Sequence, residues 1–322
     1  MIPTPRGTTW PPHALPLGSA PGRPGALTRG GRPCGCPAGA HGEEGPTARG
    51  QALAQTRDQA LDQALDQALA EPQFWMRSLP FPHVVARDVF RPEVAAALEA
   101  AFLEILGRGV ARDPAERDRF ARRVPGYGAA VYNLGPDTTG PLSLFLSRGM
   151  HDLLARLFGV EATGDVDAAL HHHPVGSPSG WVHNDLNPGW FVEARRADGI
   201  NVGDVRRCDY QHGTTFGEAV PAQERVRAVA MLYYLANGPY TEGDGGETGL
   251  YTSARCAVDR PAAKVAPRSN TLVAFACTPQ SFHAFLGTRK APRNCVALWL
   301  HRRRDEVVAR WGEGSIERWP GS

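Results

Sequence analysis

At 322 residues, 42% hydrophobic and 21% charged, the chain carries enough apolar content for one large domain or two small ones, which excludes a disordered or fibrous protein. Its formal net charge of +2 supplies no global field for nucleic acid or a charged membrane surface. Its apolar runs fall well short of the roughly 20 residues a membrane span needs, and no basic segment followed by an apolar core opens the chain. A cytoplasmic protein with no membrane or nucleic-acid partner is the expectation.

Residues 1–50 are rich in Pro, Gly, Arg, Ala and Thr without hydrophobic periodicity, so they bury too little to offset ordering entropy and are expected to be disordered. The repeat DQALDQALDQALA follows, with Leu61, Leu65 and Leu69 four apart, as one short helix with a slanting apolar stripe. Residues 1–71 read as an extension and 72–322 as the working domain. The CGC pair at Cys34 and Cys36 is too closely spaced for a zinc site, whereas Cys277 and Cys295 sit in apolar runs as reduced, buried thiols.

From residue 72 the pattern changes. FPHVVARDVF alternates like a strand, RPEVAAALEAAFLEIL has helical spacing with Pro92 near its start, and GPLSLFLSRGMHDLLARLFGV reads as a second helical segment ending at Gly159. Short apolar runs bounded by turn residues then follow: DAALHHHP, RVRAVAMLYYLA, TLVAFA and RNCVALWLH. Helices followed by strands predict an α+β domain in which the helices support a mainly antiparallel sheet or barrel. The polar stretch 186–224 is long enough for a functional loop or lid.

In SGWVHND, His183 and Asp185 are two apart and so share a face of an extended chain. Two ligands hold a metal weakly, and His283 in TPQSFHAFLG, just after the strand TLVAFA, is the best third. Two imidazoles and a carboxylate on one side of an ion form the facial triad of non-haem Fe(II) oxygenases, with open positions for co-substrate and oxygen. Ten residues on, Arg293 opens the last strand, where a fixed guanidinium can grip a distant carboxylate in bidentate fashion.

With these residues in order, the chain resembles the Fe(II)/2-oxoglutarate-dependent oxygenases, in particular their prolyl-4-hydroxylase-like branch. The resemblance runs from about Phe81 to Arg303 through FPHVVARDVFRPEVAAALEAAF, HHHPVGSPSGWVHND, RAVAMLYYLANGPYTEGDGGETGLY, VAPRSNTLVAFACTPQSFHAF and RNCVALWLHRR. It implies a double-stranded β-helix (jelly-roll) core with Fe(II) at its mouth on His183, Asp185 and His283. It also implies that Arg293 pairs with the distal carboxylate of 2-oxoglutarate, assisted by Tyr234, with His173 standing where relatives often place a tyrosine near the co-substrate. The implied reaction hydroxylates an unactivated C–H bond of a peptidyl or free amino acid or a small natural product, using O₂ and releasing succinate and CO₂, with ascorbate as the accompanying reductant. Because Asp185 is present, hydroxylation rather than halogenation is expected.

Other readings of the same residues stay open at this stage. A His-x-Asp pair alone is most often two surface residues, and Tyr234 also fits a core aromatic. The run His171, His172, His173 alternates faces on a strand, so it reads as a pocket wall rather than a second metal site. Arg289 reads as a loop charge, HRRRDE as a solvated C-terminal face, and GDGGETG as a tight turn. A zinc hydrolase would use the same triad with Glu247 as a nearby base, and a silent binding module on the same fold would need neither metal nor turnover.

Overall fold

The computed structural model describes residues 65–319, apart from 114, 123–127 and 218–219. Fourteen strands are present among them: β1 Trp75–Arg77, β2 His83–Arg87, β3 Val110–Ala111, β4 Phe120–Ala121, β5 Ala130–Leu134, β6 Asp165–His173 and β7 Pro188–Phe191. The second half adds β8 Asn201–Val202, β9 Gln223–Tyr234, β10 Thr248–Leu250, β11 Ala263–Val265, β12 Thr271–Ala276, β13 His283–Phe285 and β14 Arg293–Arg303. The major sheet runs β1-β2-β12-β9-β14-β6-β5-β4-β3, with β7 added on β9 and β8 on β6. A minor sheet, β11-β10-β13, faces it. The mainly antiparallel pairing and the two facing sheets make the α+β jelly roll expected from the sequence.

Alternation along the central strands divides their side chains between two cores. On β9, Val229, Met231 and Tyr233 turn outward to pack with Leu98, Phe102, Met150 and Leu154 from the helices Pro92–Gly107 and Arg148–Phe158. Ala230 and Tyr234 turn inward with Val273, Phe275 and Cys295 to line the interior between the sheets. Helices on one face thus leave the other free to build a cavity.

Local chemistry refines the expected elements at three places. The segment read as one helix up to Gly159 breaks at Ser147 into a 3-10 helix, Pro141–Leu146, and the α-helix Arg148–Phe158. The Ser147 side chain accepts from the Met150 N–H as an N-cap, and Gly159 closes the helix at φ 58°. The stretch 186–224 is not one open loop, because β7 and β8 tie it to both flanks of the sheet. At the C-terminus the solvated-face reading of HRRRDE fails at its first two residues. β14 continues to Arg303, so His301 and Arg302 are buried, and Arg302 donates to the carbonyls of Ala228 and Cys277.

Packing extends to residues before the boundary expected at residue 72. Leu65, Ala68 and Leu69 are buried in the outer core, Leu69 forms a bridge with Phe90, and the Leu69 carbonyl accepts from Arg91. The last turn of the repeat belongs to the packed domain because its leucine stripe covers apolar surface beside the helix Pro92–Gly107. Residues 1–64, with the CGC pair, lie outside the described residues. Cys277 and Cys295 are buried free thiols, as expected. Among the described residues no helix is long and apolar enough to cross a membrane.

Candidate active site

The interior opens into a cavity of about 600 Å³. Its wall includes His183, Asp185 and His283, brought together by an antiparallel bridge between the two histidines, whose N–H···O bonds are 3.0 and 2.8 Å. One candidate ligand atom from each of the three residues lies within 4.8 Å of the others. Asp185 Oδ1 is 3.6 Å from His183 Nε2, and Oδ2 is 3.4 Å from His283 Nε2.

Each histidine is oriented by its own backbone neighbourhood. His183 Nδ1 lies 2.9 Å from the Trp181 carbonyl and His283 Nδ1 lies 3.0 Å from the Ser281 carbonyl. A carbonyl only accepts, so both Nδ1 atoms carry the proton and both Nε2 lone pairs point toward Asp185. Burial, with His283 alongside, pulls His183 down to about 4, which keeps this imidazole neutral at physiological pH. Two Nε2 donors and one carboxylate on a single side are the donor set a divalent transition metal takes in a facial site.

Asp185 is held from behind by residues that no local motif announces. Its Oδ1 accepts from Arg227 Nη1 at 2.6 Å and its Oδ2 from Trp299 Nε1 at 2.8 Å. Burial opposes ionisation, yet the Arg227 guanidinium and His283 hold the carboxyl well below the usual carboxylate range. Arg227 lies 3.9 Å from the Trp299 ring centre and 4.9 Å from that of Trp319, and its Nε donates to Tyr210 Oη. Tyr210 Oη in turn meets His301 Nε2 at 2.7 Å, and His301 Nδ1 is fixed on the Asp165 carbonyl.

The position of Arg227 has a backbone cause. The β9–β14 ladder shifts by one residue between Leu300 and His301, so Val229 pairs with Leu300 and Arg227 with His301, leaving Ala228 over. Such a bulge reverses which residues face inward, so Arg227 joins Ala230 in lining the cavity. Asp185 itself sits at φ 61°, a left-handed conformation that Asp tolerates better than most residues. The one sequence signal for Arg227 is a cation inside the otherwise apolar run RAVAML.

At the other end of the cavity Arg293 is buried, 2% exposed, directly opposite His173 on β6. Its guanidinium lies 5.3 Å from the Tyr234 ring centre and 5.5 Å from that of Phe285. Tyr234 Oη meets Thr248 Oγ1 at 2.6 Å, and Arg293 Nη2 donates to the same oxygen at 3.5 Å. His173 stacks on Phe285 at 3.7 Å. Arg293, Tyr234 and His173 therefore lie together, and Thr248, from the GGETG turn, joins them without having been singled out in the sequence. Arg289 stays outside the cavity wall. Glu247 is buried beside Thr248, but it accepts from Tyr240 Oη at 2.7 Å and does not line the cavity.

No curated protein matches the chain. Among solved structures it is similar to a Pseudomonas putida prolyl-4-hydroxylase, at 14% identity over 76% of this chain and 98% of that one, with a TM-score of 0.43. It is similar also to a Trichoplax adhaerens prolyl hydroxylase in complex with a hypoxia inducible factor oxygen degradation domain peptide fragment, at 14% identity over 83% and 98% of the two chains and a TM-score of 0.46. A third is the viral collagen prolyl hydroxylase from Paramecium Bursaria Chlorella virus-1, at 15% identity over 63% and 87%, with a TM-score of 0.38. The model of the 2OG-Fe(II) oxygenase superfamily matches residues 205–301, the stretch that carries Arg227, Tyr234, His283, Arg293 and Trp299. Over residues 205–301 the chain is thus similar to the 2OG-Fe(II) oxygenase superfamily.

Proposed function

We propose that the protein is a hydroxylase of the prolyl-4-hydroxylase-like kind, with Fe(II) on His183 Nε2, His283 Nε2 and the Asp185 carboxylate, and 2-oxoglutarate held by Arg293. The observation that carries this reading is the convergence of the three ligand atoms within 4.8 Å in the same cavity as a buried arginine. Iron and 2-oxoglutarate, when bound, supply the oxidising chemistry that uses O₂, releases succinate and CO₂ and hydroxylates a C–H bond. The protein's own part is positional and electrostatic. Carbonyl bonds to both Nδ1 atoms fix the donor tautomers, and the Arg227 and Trp299 donors hold the Asp185 carboxylate in one orientation.

Arg293 presents its fork in a desolvated pocket walled by Tyr234 and Phe285, where a carboxylate partner is bound more strongly than in water. Thr248 and Tyr234 supply hydroxyls beside it, and His173 closes the wall by stacking on Phe285. The domain that does this begins at or before Leu65. The primary substrate is a peptidyl or free amino acid or a small natural product, with ascorbate as reductant. A zinc hydrolase is disfavoured because Glu247, its expected base, is tied to Tyr240 outside the cavity wall.

The test is substrate-stimulated formation of succinate with Fe(II) and 2-oxoglutarate across peptides, amino acids and metabolites, followed by mass spectrometry of the product. Gain of one oxygen atom with matching succinate is the expected result. Turnover that proceeds without 2-oxoglutarate would contradict the reading.

A further inference from the structure

The cavity wall holds a carboxylate, Asp167, that the chemistry above does not use. Asp167 lies on β6 directly opposite Trp299 of β14, on the same inward face as Ala169 and His171. Six residues separate it from His173, so at about 3.3 Å per residue it stands some 20 Å along the strand from the Arg293 end. The co-substrate end and the Asp167 end are thus opposite ends of one cavity.

The Asp167 side chain makes no hydrogen bond or ion pair among the described residues, and neither does that of its neighbour Asn133. Asn133, on β5, pairs with Ala169 and so stands diagonally across from Asp167, about 7–8 Å away, with both side chains lining the cavity. Arg227, the cation whose charge acts on Asp167, is committed to Asp185 and Tyr210. Burial pushes the Asp167 carboxyl up to about 6, so at neutral pH it is ionised yet poorly solvated. A folded protein keeps such a group at a cost, which a cation from outside would offset. The same cavity suits a cation as well, because Trp181 and Phe216 stand half-exposed along it and offer aromatic faces.

We propose that Asp167, with Asn133 beside it, is the specificity-determining anchor for the primary substrate, and that this substrate carries a protonated amine or guanidinium close to the C–H bond that is oxidised. The proposal rests on the oxygenase reading for what happens to the substrate, while the anchor itself rests on the cavity wall.

The test is calorimetric binding to the full chain, with and without Mn(II) and 2-oxoglutarate, of probe pairs matched in shape. These are lysine against norleucine and arginine against citrulline, as free amino acids and within short capped peptides. One charge-assisted hydrogen bond makes the wild type favour the cationic member of at least one pair by about tenfold or more. That preference falls to near parity in Asp167→Asn and survives in Asp167→Glu. Asn133→Lys, which places a cation beside Asp167 without removing it, abolishes the preference too and serves if Asp167→Asn does not fold. Equal binding within every pair by wild type, or an undiminished preference in Asp167→Asn or Asn133→Lys, overturns the anchor. Failure to bind Mn(II) and 2-oxoglutarate alongside a preserved cation preference overturns the oxygenase reading and leaves the anchor standing.

Discussion

Two of the carboxylates that line the cavity, Asp185 and Asp167, are treated in opposite ways. Asp185 accepts from Arg227 and Trp299 and is held well below the usual range, whereas Asp167 receives no donor and is pushed up to about 6. Both are buried enough for desolvation to oppose their charge, so the difference lies in the donors placed around them. A group that must be anionic in one fixed orientation before anything binds is given its partners by the fold. A group left without them is destabilising until a ligand arrives, and it marks where the fold ends and recognition begins.

Breaking the partnered side should have the largest effects. Asp185→Ala leaves two neutral imidazoles, and divalent metal affinity measured by calorimetry is expected to fall by about 100-fold or more, with turnover lost. Arg293→Ala removes the cation at the co-substrate end. It should raise the KM for 2-oxoglutarate by the equivalent of about 2–5 kcal/mol while metal affinity changes little. Arg227→Ala should lower metal affinity by about 10- to 100-fold through loss of Asp185 orientation, and should destabilise the fold by about 3–5 kcal/mol because the Asp185 charge is left buried without its cation. A denaturant titration at neutral pH separates the second effect from the first.

The unpartnered side should respond in the opposite direction. Asp167 binds a proton more tightly in the folded state than an ordinary aspartate with its pKa of 3.8, so its ionisation costs stability progressively from about pH 4 to about pH 6 and the cost is complete above that window. Asp167→Asn should therefore melt at a higher temperature than wild type at neutral pH, with the gap closing as the pH falls toward 4. Arg227, Tyr210 and His171, which line the cavity with Asp167, keep their charge state through this window, since His171 is pulled down to about 3 by burial and the two arginines near it. A lower melting temperature for Asp167→Asn at neutral pH would mean that the carboxylate has a partner in solution.

Much of the partnered side was legible in the sequence. His183, Asp185, His283 and Arg293 stand within or beside short strands whose alternation predicts their faces, and TLVAFA and RNCVALWLH mark β12 and β14 almost to the residue. What was not legible depended on register and long-range packing. Arg227 reaches the cavity only because of the bulge at Ala228, and Tyr210 reaches Arg227 only because the 186–224 stretch folds back along β9 through β7. Arg302 looks like one more surface charge in HRRRDE until the strand carries it under the sheet. Leu65 and Leu69 lie in a repeat that resembles low-complexity sequence, and their burial depends on the surface offered beside Phe90. A chain starting at Pro72 loses both leucines, each contributing about 1.5–3 kcal/mol of burial. It should therefore unfold at lower denaturant than the full chain.

The central claim is that one triad and one arginine, set in a single cavity, hold metal and co-substrate together. A crystal structure of the protein grown with Mn(II) and 2-oxoglutarate, with the metal located by its anomalous scattering, tests it most directly. The predicted result is one ion within about 2.0–2.2 Å of His183 Nε2, His283 Nε2 and an Asp185 oxygen, with the far carboxylate of 2-oxoglutarate on the Arg293 guanidinium. An ion held elsewhere, or a co-substrate whose far carboxylate lies away from Arg293, would contradict it.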